Sequence, residues 1–403
     1  MKAKGFLKRN KDLLLVYMMF IFIYMTVGTY NPYIALFYDE QGLTPGQIGI
    51  ITSVGPIATI LLQTAWGTFA DRTSRKGVLC FALIGSAAAC ALYLLSSSFI
   101  YTLIVALLYT VFNMAVEPMA AALGLDFCTK TKRNYAPIRL GGTIGFAIPG
   151  FIFAALFSKD LKYVFLIYAL LVVLSCVATL LYPIKQEKQA AEVTADGKKV
   201  GMFSLIKDPL VIFLLVSNMV AFMGSSCYTY LPLYAQELGF DNALCGQLSA
   251  IAAVPEILLF LTIDRALKKI PPKAMIYGAL VLQAVRLMVT YVSGFCGALT
   301  LPVMLIGQLL QAFTYLPCYY CAAQMIHERF PANLKSTAQT LLALATTGVG
   351  RVLASLIGGW LSEPDVVGLQ STFLFFSAFI LISIIPVVLL GKKVKTTTQD
   401  THM

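Results

Sequence analysis

Apolar residues run along this chain in blocks of 20 or more, each closed by a short polar patch. Blocks of that length cross a bilayer core of about 30 Å as helices. The pattern predicts spans at 13–37, 47–70, 78–97, 100–127, 137–157, 161–183, 209–236, 245–267, 274–293, 299–327, 335–361 and 369–390. One connection is long and hydrophilic, Lys185 to Asp208. It carries Glu187, Glu192, Asp196 and four lysines before Lys207, with no apolar periodicity. It reads as a flexible cytoplasmic linker between two six-helix bundles, 1–184 and 209–403. The expected fold is an all-α polytopic membrane protein with 12 transmembrane helices in two pseudo-symmetric bundles.

The halves repeat. At an offset of 200, Thr29-Tyr30 matches Thr229-Tyr230, and Pro32 matches Pro232. Gly46-Gln47 matches Gly246-Gln247, and Val54 matches Val254, with no gap between. Later the offset drifts, so that Asp71-Arg72 corresponds to Asp264-Arg265. A same-sense repeat of six helices is an architecture of secondary transporters, with a binding site expected near mid-membrane where the halves meet. Pro32, Pro118, Pro149, Pro232, Pro255 and Pro317 fall inside spans, where they free backbone carbonyls and permit bending.

Composition agrees with the pattern. The 403 residues are 59% hydrophobic and 12% charged, with a mean hydropathy of +0.80. A soluble domain carries about twice that charged fraction. The basic start, Met1 to Asp12, leads into a span too long for a signal peptide, and no small-residue cleavage site follows it. It reads as an uncleaved first helix. The net charge of +11 invites a nucleic-acid partner, but position decides against it: 25 of the 30 Lys+Arg fall on one side of the predicted spans. That side is the cytoplasm, which puts both termini inside. The nine cysteines lie mostly in apolar runs. Cys318-Tyr-Tyr-Cys321 has metal-ligand spacing, but it sits within a span and reads as helix packing. No metal site, catalytic triad or Gly-rich phosphate loop is visible, so neither an enzyme nor a resident cofactor is expected.

Ionisable residues inside the spans carry the sharpest signal. Each costs about 2.5–3.5 kcal/mol at a helix centre, so each should face a partner or a water-filled cavity. Glu117, Asp126, Arg139, Glu256, Arg286 and Arg351 make a neutral set suited to mutual pairing. Glu256 is mid-span in helix 8 and suits proton exchange or hydrogen bonds from substrate hydroxyls. Arg286, in helix 9, is expected to pair with Glu256 or another carboxylate. Arg351 lies within Gly348-Val-Gly-Arg-Val, a setting for close packing. Asp126 and Arg139 flank the loop between helices 4 and 5 and suit either the cytoplasmic face or the cavity. Glu117, next to Pro118, is more internal.

One polar stretch, Gly67-Thr-Phe-Ala-Asp71-Arg72-Thr-Ser-Arg75-Lys76, interrupts a very apolar region and reads as a tight gating loop, with Gly67 letting two helices approach. It resembles the loop between helices 2 and 3 of the major facilitator superfamily. Gly67, Asp71, Arg72, Arg75 and Lys76 match, while Ser74 replaces the second glycine. Within that superfamily the chain is similar to lactose-permease-like and phenylpropionate-permease-like transporters. The likeness rests on Tyr30-Asn-Pro-Tyr33, Arg139-Leu-Gly-Gly-Thr-Ile-Gly-Phe146, Val254-Pro-Glu-Ile257, Arg286, Gln308-Leu-Leu-Gln311 and Ser336-Thr-Ala-Gln339. It implies sugar contacts from Arg139 and Phe146, with Glu256 and Arg286 at the family's helix 8 glutamate and helix 9 arginine. The family's helix 10 histidine falls on Gln311 and its proton-carrying glutamate on Thr314. Its helix 4 carboxylate falls between Asp126 and Glu117.

The resemblance therefore implies a major facilitator fold working by alternating access. It implies secondary active transport of a small organic solute (a sugar, nucleoside or aromatic acid) across the cytoplasmic membrane by proton symport. Proton-coupled export of drugs or metabolites is the alternative. Expected solute contacts are Tyr30, Asp126, Arg139, Phe146, Glu256 and Gln311. Proton coupling or charge pairing is expected of Glu117, Glu256, Arg286 and Arg351. The expected partners are the solute, protons and the lipid bilayer, with the protein working as a monomer.

Overall fold

The computed structural model describes residues 11–183, 205–267 and 269–394. The basic start and most of the 185–208 linker lie outside them. Every element among the described residues is helical. Eleven stretches are long and apolar enough to cross a membrane, and Pro137–Ile152 is a further, shorter apolar helix. The elements thus fall at the twelve stretches the hydropathy marks.

Five of the twelve spans are broken rather than continuous; the fifth span breaks at Phe153, and each of the other four breaks lies just ahead of a proline or ends on the residue after it. The first span divides into α1 (Lys11–Tyr30) and α2 (Ile34–Glu40) around Asn31-Pro32-Tyr33. The fourth divides into α5 (Phe99–Asn113) and α6 (Val116–Thr131), with Pro118 in the first turn of α6. The seventh divides into α10 (Pro209–Ser226) and α11 (Leu231–Glu237) through a 3-10 turn, Cys227–Tyr230, ahead of Pro232. The tenth divides into α14 (Thr300–Leu309) and α15 (Tyr315–Arg329) through Gln311–Phe313, ahead of Pro317. Proline lacks the N–H that would reach back to residue i−4, and its ring crowds that carbonyl. The carbonyls released are those of Gly28, Met114, Tyr228 and Phe313, at or within a few residues of the breaks. Spans 1 and 7, and spans 4 and 10, break at matching places in the repeat.

The remaining spans are α3 (Pro45–Arg72), α4 (Arg75–Leu92), α7 (Tyr135–Ile152), α9 (Lys162–Leu180), α12 (Asn242–Leu267), α13 (Pro272–Ser293) and α18 (Gly368–Lys393). Short α8 (Ala154–Lys159) follows α7. The eleventh span runs as α16 (Ala332–Ala343), a π-helical stretch Leu344–Gly350, and α17 (Arg351–Leu361). Thr44 caps α3 in a capping box with Gln47: the Thr44 Oγ1 accepts from the Gln47 N–H, and the Gln47 Oε1 accepts from the Thr44 N–H.

The chain forms two compact units, one of 1–193 with 229–257 and one of 194–228 with 258–403. Two of the three cuts fall where a helix is irregular. One crosses the 3-10 turn Cys227–Tyr230, and the other comes two residues after Pro255 inside α12.

In the first unit α1 crosses α7 on a glycine seam. A Cβ at Gly145 would strike the Ile21 carbonyl, and one at Gly28 would strike the Phe146 carbonyl. Only glycines allow the two backbones this close. Beside the seam sits a buried tyrosine cluster. The Tyr93 hydroxyl lies 3.0 Å from that of Tyr30 and 2.9 Å from that of Tyr38, while Tyr30 and Tyr38 are 3.4 Å apart. Tyr30 also stacks on Tyr109 with ring centres 4.1 Å apart.

Residues 229–257 complete this unit. The Tyr33 ring abuts Gly246, and a Cβ at Gly150 would lie 3.0 Å from the Ala250 Cβ and 3.2 Å from the Gly246 carbonyl. Gly246 and Ala250 are four apart, so they present one small-residue stripe to α7. Ser158 donates to Asp241 at 3.1 Å, and Asn242 donates to Glu40 at 3.2 Å.

In the second unit α13 packs on α18, where Ser377 donates to the Ala284 carbonyl at 2.8 Å. Gly350, at the end of the π stretch, lets α10 approach: a Cβ there would lie 3.1 Å from the Met219 carbonyl. Cys318 and Cys321 pack against α13, at the Ile276 carbonyl and the Met275 sulfur.

The polar stretch at 67–76 is mostly helical, and the loop within it is shorter than the whole stretch. Helix α3 runs on through Arg72, Ser74 caps α4, and Thr73-Ser74 alone form the connection. Nothing lies within 4 Å of a Cβ at Gly67. The close helix approach expected there is found instead at Gly28 and Gly145.

Candidate functional site

Two polar groups sit at the helix breaks. In the first unit, the group gathers on Tyr24 of α1. Arg139, one turn into α7, places its guanidinium 4.7 Å above the centre of the Tyr24 ring, within range of a cation–π contact. Gly142 makes the room, since a Cβ there would lie 3.0 Å from the Arg139 Nη1 and 2.8 Å from the Tyr24 ring. Tyr24 stacks on Phe20 at 6.2 Å, and Phe20 meets Tyr135 edge-on at 6.2 Å. Gly124 of α6 admits that edge: a Cβ would lie 2.7 Å from Phe20 and 2.9 Å from Tyr135. The break at Met114-Ala115 puts Glu117 in the first turn of α6, where a carboxylate is favoured by the helix dipole. The Glu117 carboxylate is exposed, and it lies with the Arg139 guanidinium in electrostatic reach of the Tyr24 and Tyr135 phenols. Carboxylate, guanidinium and phenols together both accept and donate hydrogen bonds, which suits a solute carrying hydroxyls.

In the second unit the group gathers on Arg286 of α13, which is fully buried. Its Nε donates to the Gly307 carbonyl at 3.0 Å. Its Nη2 donates to the Gln308 Oε1 at 3.1 Å and to the Gln311 Oε1 at 2.6 Å. The Tyr228 ring covers the guanidinium with its centre 3.5 Å away, and the Tyr228 hydroxyl reaches the Thr290 Oγ1 at 3.0 Å. Gln311 lies in the break of the tenth span and Tyr228 in that of the seventh. The breaks deliver these side chains to Arg286.

The expected residues distribute as follows. Arg139 sits over Tyr24, Glu117 is in electrostatic reach of the same phenol, and Arg286 donates a hydrogen bond to Gln311. Phe146 is half-buried in α7, its carbonyl against Gly28. Tyr30 is turned into the tyrosine cluster. Glu256 is half-buried in α12, directly after Pro255, and Arg351 is exposed at the start of α17.

Asp126 is held at 3.0 Å by the Arg75 Nη1, so it belongs with the polar stretch. Lys76 donates to the Leu180 carbonyl at 2.6 Å, a cation at the C-terminal end of α9. Arg72 is exposed, and Asp71 lies in the last turn of α3. Tyr24, Tyr135 and Gln308 were not among the expected site residues. The glycines facing Tyr24 and Tyr135, and the three-residue spacing of Gln308 and Gln311, are the signals that point to them.

Known proteins share this fold. The chain is 24% identical over 401 residues to the maltose permease of Geobacillus stearothermophilus, covering 96% of each. It is 22% identical over 329 residues to the probable 3-phenylpropionic acid transporter of Escherichia coli strain K12, covering 80% of this chain and 83% of that one. Among solved structures, the nucleoside transporter NupG (D323A mutant) superposes with a TM-score of 0.82 over 94% of this chain and 99% of that one, at 15% identity. The model of the MFS_1 like family matches residues 13–375, and the chain accordingly belongs to that family, as a multi-spanning membrane transporter of major facilitator type.

Proposed function

We propose that this protein carries a small hydroxyl-bearing organic solute, a sugar or a nucleoside, across the plasma membrane by alternating access, in symport with a proton. The observation that carries the reading is the Arg139 guanidinium over the Tyr24 ring, with Glu117, in the first turn after a helix break, in electrostatic reach of the same phenol. Unwound backbone at membrane depth is tolerated where it lines a cavity or is buried in protein, and broken helices are the recurring site-builders of transporters. The maltose and nucleoside relatives support the solute class. Arg139, Phe146 and Gln311 are the proposed solute contacts. Glu117 and Glu256 are the proposed proton carriers, and the stretch Gly67–Lys76 gates the cytoplasmic face. Protons and solute are the partners of a monomer with both termini in the cytoplasm.

The test is external pH in a lightly buffered suspension of expressing cells. Maltose, uridine and 3-phenylpropionate are added one at a time. Alkalinisation on maltose or uridine, absent in control cells, is the expected result. A response to 3-phenylpropionate alone refutes the solute class, and uptake of label without a pH change refutes symport. Glu117→Gln is expected to abolish uphill accumulation while leaving exchange of solute across the membrane. Uphill accumulation by that variant removes Glu117 as the carrier.

A further inference from the structure

Arg286 dictates how the neighbouring amides point. A guanidinium has five N–H donors and no acceptor. An amide that meets it must therefore turn its oxygen inward, and chemistry alone settles the choice of rotamer. Gln308 and Gln311 both do this, accepting from the Arg286 Nη2 at 3.1 and 2.6 Å. Their amino groups are thereby committed to the opposite side.

For Gln308 the consequence is clear. The residue is 1% exposed, and among the described residues its Nε2 has no hydrogen-bond partner. A buried donor left unmatched costs about 1–3 kcal/mol, and such a cost in a native structure calls for an explanation in a ligand or a bound water. Gln308 lies at the end of α14, two residues before the break in the tenth span. Backbone motion at that break is what would bring a solute to the amide. The Arg286 Nε and Nη2 are already committed, and Tyr228 covers its face.

We infer that Gln308 is a specificity-determining residue of this transporter, whose amino group, aimed by Arg286, donates to an acceptor oxygen of the solute. The inference rests on the proposed solute class. It adds that the solute must present, toward the second unit, an oxygen acting as acceptor: a hydroxyl or ether oxygen of a sugar, or a carbonyl oxygen of a nucleobase. A group that can only donate is rejected there. A site built to hydrogen-bond discriminates strongly against an analogue lacking the partner atom.

Uptake of labelled maltose and uridine by cells expressing the full chain tests this, with Gln308→Glu and Gln308→Met beside the unaltered protein. Gln308→Glu keeps the shape and the bond to Arg286 but removes the donor. Gln308→Met removes the unmatched amino group but also takes one acceptor from the Arg286 Nη2, whereas Gln308→Glu keeps that acceptor, so the two variants together, with folded protein recovered from membranes measured beside uptake, separate loss of folding from loss of the donor. Both are expected to raise KM about 10-fold or more, with maximal rate within about twofold.

Competition by monodeoxy and monodeoxyfluoro analogues supplies a readout that a structural role would not move. One deoxy analogue should compete more weakly than its parent against the unaltered protein, and equally with it against Gln308→Met. The fluoro analogue, which accepts but cannot donate, should retain part of the affinity. Unchanged KM in both variants, or the same loss for every analogue with and without Gln308, shows that the amide binds ordered water only and overturns the inference. If the unaltered protein carries neither probe, the solute class falls and the inference with it. Uptake by the unaltered protein with unaltered KM in the variants refutes the inference alone.

Discussion

The tyrosine cluster of the first unit offers a prediction whose size follows from its distances. The Tyr93 hydroxyl is the hub of a triangle, with bonds of 3.0 Å to Tyr30 and 2.9 Å to Tyr38, whereas the third side, Tyr30 to Tyr38, is 3.4 Å. Tyr93→Phe deletes both good bonds and leaves two buried phenols with one poor contact. A buried hydrogen bond contributes about 0.5–1.5 kcal/mol net, so the loss is about 1–3 kcal/mol. Tyr30→Phe deletes one good and one poor bond and leaves the 2.9 Å pair intact, for a loss nearer 1 kcal/mol on the same scale. The ring of Tyr30 stays stacked on Tyr109 in either case.

Apparent melting temperature in detergent is the assay, with solute KM measured in parallel. The expected order of stability is unaltered, then Tyr30→Phe, then Tyr93→Phe. Tyr93→Phe combined with Tyr38→Phe should cost less than the sum of the singles, because both remove the same bond. KM should stay within about twofold throughout, since buried hydroxyls committed to one another are not offered to solute. Equal melting of Tyr93→Phe and the unaltered protein would refute the argument. So would a rise in KM confined to Tyr30→Phe, which would return Tyr30 to the solute contacts.

Two further outcomes can be checked with single variants. Gly145→Val places a side chain into the Ile21 carbonyl, so folded protein recovered from membranes should fall severely, the loss exceeding the 1–3 kcal/mol typical of overpacking; Gly67→Ala, with open space around it, should be recovered like the unaltered protein. Asp126→Asn weakens the 3.0 Å pair with Arg75, whose members are 22% and 33% exposed on Arg75 and Asp126. Partial exposure limits the stability loss to about 1 kcal/mol or less, and the larger effect should fall on turnover measured by initial uptake rates, with solute affinity preserved.

The number and placing of the spans could be read from the chain, because a bilayer imposes a length that hydropathy reports directly. The breaks were half legible. Pro32, Pro118, Pro232 and Pro317 can be seen, and a proline inside a span is usually a tolerated bend. That these four break their helices while Pro56, Pro149 and Pro386 stay inside theirs depends on packing around each. Arg139 was legible as an intramembrane base, but its seat on Tyr24 was not: the two are brought together by Gly142, and a glycine's neighbour is a fact of three dimensions. The Arg75–Asp126 pair spans 51 positions, and no local spacing announces it. Gly67 misled in the opposite direction, since the family motif holds a glycine there while the close crossing belongs to Gly28 and Gly145. Arg286 was expected to find a carboxylate, and the amides of Gln308 and Gln311 became visible as its acceptors only once the tenth span was seen to break beside them.

The seam that joins residues 229–257 to the first unit bears on how the protein is assembled. A nascent chain that has inserted its first six spans still lacks the surface on which Gly246, Ala250, Asp241 and Asn242 come to rest. Tyr33, Gly150, Ser158 and Glu40 stay uncovered until the seventh and eighth spans follow. The first six spans are therefore not a finished folding module. A gene cut within the 185–208 connection yields two pieces that each carry an unsatisfied face, and the cut protein should recover activity by fragment complementation only when both pieces are made in the same membrane.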